Sequence, residues 1–380
     1  MTMFSRIFII LAFCASLVDA AEPLKRDDNF FPLAVWLQSP RNAERFKAAG
    51  INTYVGLWRG PNEEQFNQIK AAGLKLICHQ NQFALAHKDD SAIIAWMQDD
   101  EPDNAQSLGE GKGYGPPVLP EKVIARYNEI RAADATRPVL LNLGQGVAWD
   151  NYIGRGVRRN HPEDYAEYVK GGDIVSFDIY PATHDHADIK GKLEFVAKGV
   201  ERLKKWAGPD RETWNCVEAK IGEQGEHMTP QQFRAEVWMS LIHGSRGIIY
   251  FVHQFKPVFR EASIFEDAPL LQAMTEVNKQ VTELAPILNS PDLPLKVTYK
   301  SEGSATAAIA KKRGDSIYIF AVEMEGHQSW PTFTFENDRG NYRVEPLNSG
   351  RRAHAVNGAF KEDNALNARE VRIYKLSTAN

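Results

Sequence analysis

The chain has 380 residues, 43% of them hydrophobic and 25% charged, which suits a large globular core with one smaller domain. Its formal net charge of −4 comes from acidic and basic residues mixed along the chain, with no basic stripe, and this argues against a nucleic-acid partner. Cysteine usage is sparse: Cys14 lies in the leader, and Cys78 and Cys216 each fall in an apolar strand, so unpaired core thiols are expected rather than a disulfide.

The N-terminus has the order of a secretory signal. Arg6 precedes an apolar run over residues 7–18, and Asp19-Ala20-Ala21 follows, so residues 1–20 are expected to be removed after Ala20. The alternative, a membrane anchor, needs a longer apolar run than this one. The mature protein is then expected to be soluble, without membrane association, and either secreted or periplasmic.

After a polar linker over residues 22–29, apolar runs and helical patterns alternate. Strands are expected at 31–37, 51–58, 74–79, 92–98, 138–143, 173–180, 212–219 and 247–253, each too short for a helix and buried on both faces. Helices are expected at 41–49, 62–72, 120–133, 161–169, 190–206, 229–243 and 268–288. Two junctions nearly repeat: Arg45-Phe-Lys-Ala-Ala-Gly50 and Gln68-Ile-Lys-Ala-Ala-Gly73 each end a helix on a glycine with a strand starting at once. Eight strands alternating with helices point to an α/β protein with a (β/α)8 TIM barrel over residues 30–290. From residue 291 to 380 the texture changes to short strands between polar turns, expected at 296–299, 306–310, 316–323, 332–335 and 371–376, a small C-terminal antiparallel β domain resembling a sandwich.

The stretch over residues 92–104 dominates the functional reading. An apolar strand runs into Asp99, Asp100 and Glu101, and Pro102 stops it. In an α/β barrel the carboxyl ends of the strands form the catalytic rim. Clustered carboxylates repel, so one of them can hold a proton near neutral pH, as a general acid must. The other strand ends bring Trp36 and Gln38, Trp58, His79, Asn142, Asp178 and Tyr180, Glu218, and His253 to the same rim. Aromatic faces pack on sugar rings, amides and carboxylates pair with hydroxyls, and two carboxylates flanking a glycosidic bond can cleave it.

These residues resemble the clan A glycoside hydrolases. Trp96-Met-Gln-Asp-Asp100-Glu101-Pro102 is similar to the clan's acid/base motif at the end of strand four. Trp214-Asn-Cys-Val-Glu218-Ala-Lys-Ile-Gly222 is similar to its nucleophile motif at the end of strand seven, and Tyr180-Pro181 matches a frequent aromatic after strand six. The resemblance implies a retaining enzyme on an oligo- or polysaccharide, with Glu101 as acid/base, Glu218 as nucleophile and no cofactor. Substrate contacts are then expected from Trp36, Gln38, Trp58, His79, Asp100, Asn142, Asp178, Tyr180 and His253. Asp100 departs from the motif, since the clan usually has an Asn there, and an ionised Asp accepts hydrogen bonds without donating them. Two other readings stay open: a non-catalytic glycan-binding barrel, which the Asp100 departure motivates, and a metal-dependent hydrolase. His184-Asp185-His186 carries only a weak metal signal, because no third ligand has a fixed spacing.

Overall fold

The protein is described from a computed structural model over residues 27–298, 303–347, 353–361 and 363–378, so the expected secretory signal and Tyr299 lie outside the described residues. Eight short runs of β-favouring apolar residues become eight parallel strands. Strand one is Leu33–Trp36, strand two Thr53–Val55, strand three Lys75–Cys78, strand four Ile93–Met97, strand five Val139–Leu143 and strand six Ile174–Phe177. Strand seven comes as two pieces, Glu212–Thr213 and Asn215–Glu218, and strand eight is Ile248–Phe251. Each strand pairs with its sequence neighbour, and strand one also pairs with strand eight, Leu33 opposite Ile248. Glu212–Thr213 continues the ladder of strand six, whereas Asn215–Glu218 joins strand eight; the ladder changes partner at Trp214 and the barrel closes there.

Burial on both strand faces explains why the runs are continuously apolar. One set of side chains, including Trp36, Val55, Ile77, Met97, Leu140, Trp214 and Ile249, fills the barrel interior. The alternate set, including Leu33, Val35, Leu76, Trp96, Leu141, Val175 and Val217, packs outward on the helices.

Helix ends follow their local chemistry. Asn62 and Thr229 each close a capping box with a Gln three residues on, starting helices Glu63–Ala71 and Pro230–His243. The repeated junction glycines, Gly50 and Gly73, take φ of 83° and 67°, and a Cβ on Gly50 would lie 2.7 Å from the Asn278 Cβ. The helix expected at 161–169 is broken instead. It forms a 3-10 turn at Pro162–Asp164, a single α turn at Tyr165–Tyr168 and a second 3-10 turn at Val169–Gly171. Asp164 is drawn into salt bridges with Arg155 and Arg158, and the Gly171-Gly172 pair ends the last turn. A short helix, Gln82–Ala86, capped by Asn81, lies unexpectedly between strands three and four.

Beyond helix Ala268–Leu288 the chain forms two antiparallel sheets, of six and three strands. The expected strands are present, with Thr306–Arg313 and Val371–Thr378 longer than their apolar cores. Asp292–Leu293, Tyr342–Pro346, Ala353–Ala355 and Ala359–Lys361 are additions that polar flanking residues conceal in the sequence. Phe333, Phe335, Val344, Phe360 and Tyr374 fill the space between the sheets. The outer face of the larger sheet, with Phe320, Val322 and Ile373, joins the barrel's own core, and Phe320 stacks on Trp238 with ring centroids 5.3 Å apart.

Candidate active site

A cavity of about 830 Å³ opens at the carboxyl ends of the barrel strands. The backbone is unusual around it: Leu37, Arg59 and Glu101, the residues that follow strands one, two and four, have φ of 47°, 53° and 45°. Non-glycine residues in this region carry strain, which persists at functional sites where the surroundings impose it. At Glu101 the backbone N–H donates to the Asn142 carbonyl of strand five, 3.1 Å away, which ties the strained residue to its neighbour.

Four carboxyl residues line this cavity, Glu261 on the aromatic side and a cluster of three opposite: Asp100 and Glu101 after strand four, and Asp178 after strand six. Asp100 is exposed and Glu101 half-buried, but both stand among the protein atoms of the cavity lining, which displace part of the hydration of their charged forms. Burial raises the Asp100 carboxyl to about 7 despite a 2.9 Å hydrogen bond donated by Asn142 Nδ2, which Ser176 orients from behind. Burial pushes Glu101 well above the ordinary carboxyl range, with further upward pressure from the charges of Asp178 and Asp100 and a direct hydrogen bond to Asp178. Asp178 rises to about 6 through burial; hydrogen bonds from Glu101 and from the Tyr180 hydroxyl hold it below its neighbours. Asp178 Oδ1 is buried with no other donor, and a proton on Glu101 is the donor this pair needs. Glu101 is thus the proton holder and Asp178 the anion. Asp103 is structural: fully buried, it accepts from Gly144 N at 2.9 Å and from the Tyr165 hydroxyl at 2.8 Å.

The opposite side of the mouth, at strands eight, one and two, is aromatic. Trp36, Trp58, Phe251, Phe255 and Phe259 line it, and Trp58, Phe255 and Phe259 are largely exposed, an arrangement that invites a flat apolar ligand face. His253 packs against Phe255 and Phe259, which also touch each other, in a three-ring cluster, and accepts a 3.1 Å hydrogen bond from Gln38 Nε2, while burial lowers its pKa. Gln38 is anchored in turn on the Glu261 carbonyl at 2.6 Å.

The sequence analysis expected Glu218 to face Glu101 across the mouth, and the structure corrects this placement. Glu218 is fully buried and does not line the cavity. Its carboxylate is drawn to the loop after strand six, where it accepts from Ala182 N at 2.6 Å, Thr183 N at 3.1 Å and Thr183 Oγ1 at 2.5 Å. Behind it lies Glu236 of helix Pro230–His243, also fully buried, which shares a hydrogen bond with Glu218 and has no other donor on either oxygen. His79, half-buried beside Asp99, also stays outside the cavity. Trp36, Gln38, Trp58, Asp100, Glu101, Asn142, Asp178, Tyr180 and His253 all line it.

The Glu236 arrangement has a measurable consequence. Burial and the Glu218 charge raise its folded pKa above the unfolded value near 4.3. The stability such a group contributes is complete below the unfolded pKa and is lost as pH rises through the folded one. Glu236→Gln replaces the shared proton by an amide N–H that does not titrate, and is expected to stabilise the fold by about 1 kcal/mol at pH 8 and by less at pH 5. Thermal melts at the two pH values check this; an unchanged pH slope would contradict the shared proton.

Sequence reasoning missed Arg41, Tyr152, Phe251, Phe255, Phe259 and Glu261, and did not select Lys220 from the rim. The signal for two of them was present: Phe255, Val258 and Phe259 are exposed apolar residues in the loop directly after strand eight. Among the described residues no group of three or more His, Cys, Asp or Glu side chains is arranged to hold a metal ion.

No family model and no curated protein matches the chain. Solved structures do. One described as a glycoside hydrolase has a TM-score of 0.57 at 13% identity, covering 92% of this chain and 93% of that one. An alpha-galactosidase I from Mortierella vinacea has 0.54 at 10%, over 93% and 99% of the two chains. An alpha-amylase from Geobacillus thermoleovorans has 0.53 at 9%, over 94% and 100%. At these identities the likeness establishes the fold alone, a barrel followed by a smaller β domain.

Proposed function

We propose that the protein is a glycoside hydrolase acting on an oligo- or polysaccharide outside the cytoplasm. The observation that carries the reading is the Glu101–Asp178 pair, one carboxyl holding a proton and one ionised, facing an aromatic wall across a single cavity. A sugar ring stacked on the aromatic side presents its glycosidic bond to the pair. Glu101 gives its proton to the leaving oxygen as that C–O bond breaks. Asp178 takes the part that the sequence assigned to Glu218: its carboxylate attacks the anomeric carbon and forms a glycosyl ester. Water then loses a proton to Glu101 and displaces Asp178. Two carboxyls in hydrogen-bond contact stand far closer than the 6.5–9.5 Å used for inversion, and a sugar entering between them opens the pair toward the separation of about 5 Å used for retention, which favours a retaining reaction.

The three carboxyls titrate as a set. Activity is expected to rise as pH passes about 6, where Asp178 ionises, and to fall at higher pH as Glu101 loses its proton. A pH profile of kcat/KM on aryl glycosides, with the product anomer followed by proton NMR, tests both points. A flat profile between pH 4 and 9 or an inverted product would each contradict the roles given. The withdrawal of Glu218 and the presence of Asp100 favour one rival, a barrel that binds glycan without cleaving it. Saccharide binding with no product from any glycoside would establish that rival. N-terminal sequencing of the exported chain would test cleavage after Ala20.

A further inference from the structure

One charged group in the cavity is used by none of these steps. Lys220, in the loop after strand seven, is 8% exposed and lines the cavity. It lies against Tyr180, which follows strand six, and Phe251, at the end of strand eight. Its Nζ sits 5.1 Å from the centre of the Tyr180 ring and 5.7 Å from that of Phe251. The two rings stack on each other at 5.1 Å with 21° between their planes, so the ammonium rests against a preformed aromatic step. Among the described residues no carboxylate oxygen lies within 4.0 Å of Lys220, and no hydrogen bond engages it.

A buried ammonium without a counter-ion is costly, and contact with ring faces recovers only part of the lost hydration. The other cation of the cavity, Arg41, is already spent: Glu261 takes it at 3.4 Å, with Ser39 N on the same carboxylate at 2.7 Å. Glu218 feels the Lys220 charge from behind but keeps its own donors, Ala182 and Thr183. What remains is a positive charge on an aromatic platform, lining the same cavity as the acid pair. Glu101 holds its proton in this environment and Asp100 is raised to about 7, so the carboxyl cluster repels an incoming anion less than its count of acidic residues implies.

We infer that Lys220 is a specificity residue that receives an anionic substituent of the sugar, either the carboxylate of a uronic acid or a sulfate ester, while the ring stacks on Tyr180 and Phe251. The inference rests on the glycoside-hydrolase reading for the ligand being a sugar.

The test separates the two. Uronosyl, sulfated and neutral disaccharides of the same linkage are titrated calorimetrically into the Glu101→Gln protein, which keeps the cavity intact and prevents turnover. The same titrations are made into Glu101→Gln carrying either Lys220→Met or Lys220→Arg. One of the anionic sugars is expected to bind at least about tenfold more tightly than the neutral one, as a charge-assisted hydrogen bond would give. Lys220→Met is expected to erase that preference, leaving neutral binding in place, and Lys220→Arg to keep most of it. Which anion wins distinguishes carboxylate from sulfate. Equal affinities for all three sugars, in a protein that hydrolyses glycosides, overturn the inference alone. A preference that survives Lys220→Met overturns it as well. No binding of any sugar, with no activity on aryl glycosides, removes the inference together with the function it rests on.

Discussion

Glu101→Gln is expected to lower kcat by about three orders of magnitude on glycosides with poor leaving groups and to leave saccharide affinity nearly unchanged. The amide keeps the shape of the side chain and can still donate to Asp178, so the pocket survives while the transferable proton is lost. The deficit should shrink on aryl glycosides whose leaving group departs without protonation. That dependence on leaving group is the signature of a general acid and is not shared by a residue that only shapes the site. Initial rates across a leaving-group series measure it, and a uniform loss across the series would move Glu101 from proton donor to binding residue.

Asp178→Asn is the second large effect. An amide cannot attack the anomeric carbon, and it also removes the anion beside the Glu101 proton, so a fall of at least about 10³-fold in kcat is expected. Added azide should restore turnover in part and give a glycosyl azide of inverted configuration. The companion variant is Glu218→Gln. Both Glu218 oxygens are held by Ala182 and Thr183 away from the cavity, so this change should move the melting temperature rather than kcat. The opposite pattern, with Glu218→Gln inactive and Asp178→Asn active, would restore the assignment that the clan A resemblance implied.

The contrast between these two carboxylates marks how far the sequence carried. Strand four was legible because its apolar run is buried on both faces and Pro102 stops it, which places Glu101 at the rim whatever else the fold does. The other seven strands were readable for the same reason, and so were the junction glycines at 50 and 73. Strand alternation assigns a face only within a regular strand, however, and Glu218 is the last residue of one. There the side chain turns toward whichever neighbour offers donors, and the donors are backbone N–H groups of the loop after strand six, 35 and 36 residues away. The break of strand seven at Trp214 is likewise set by two neighbouring strands rather than by local propensity. Phe255 and Phe259 leave an apolar cluster in the loop after strand eight as a signal, but that they share a cavity with Trp36 and Gln38 of strand one depends on how the loop folds, which has no local pattern. The polar strands at 342–346, 353–355 and 359–361 depend on partners supplied by the rest of the sandwich.

Helix Pro230–His243 has Phe233 and every residue from Ala235 to Ile242 buried, because the barrel lies on one side of it and the β sandwich on the other. Phe320, Val322 and Ile373 of the sandwich belong to the same apolar cluster as the barrel's Val217 and Tyr250. The point at residues 289–291 where helical texture gives way to strands is therefore a change of architecture and not a seam. A shortened gene ending there would present Trp238 and its neighbours to water, and its product would be expected to aggregate. Anyone wishing to transplant the barrel, fuse it to another protein or evolve it separately would have to carry the sandwich along or redesign that helix face first.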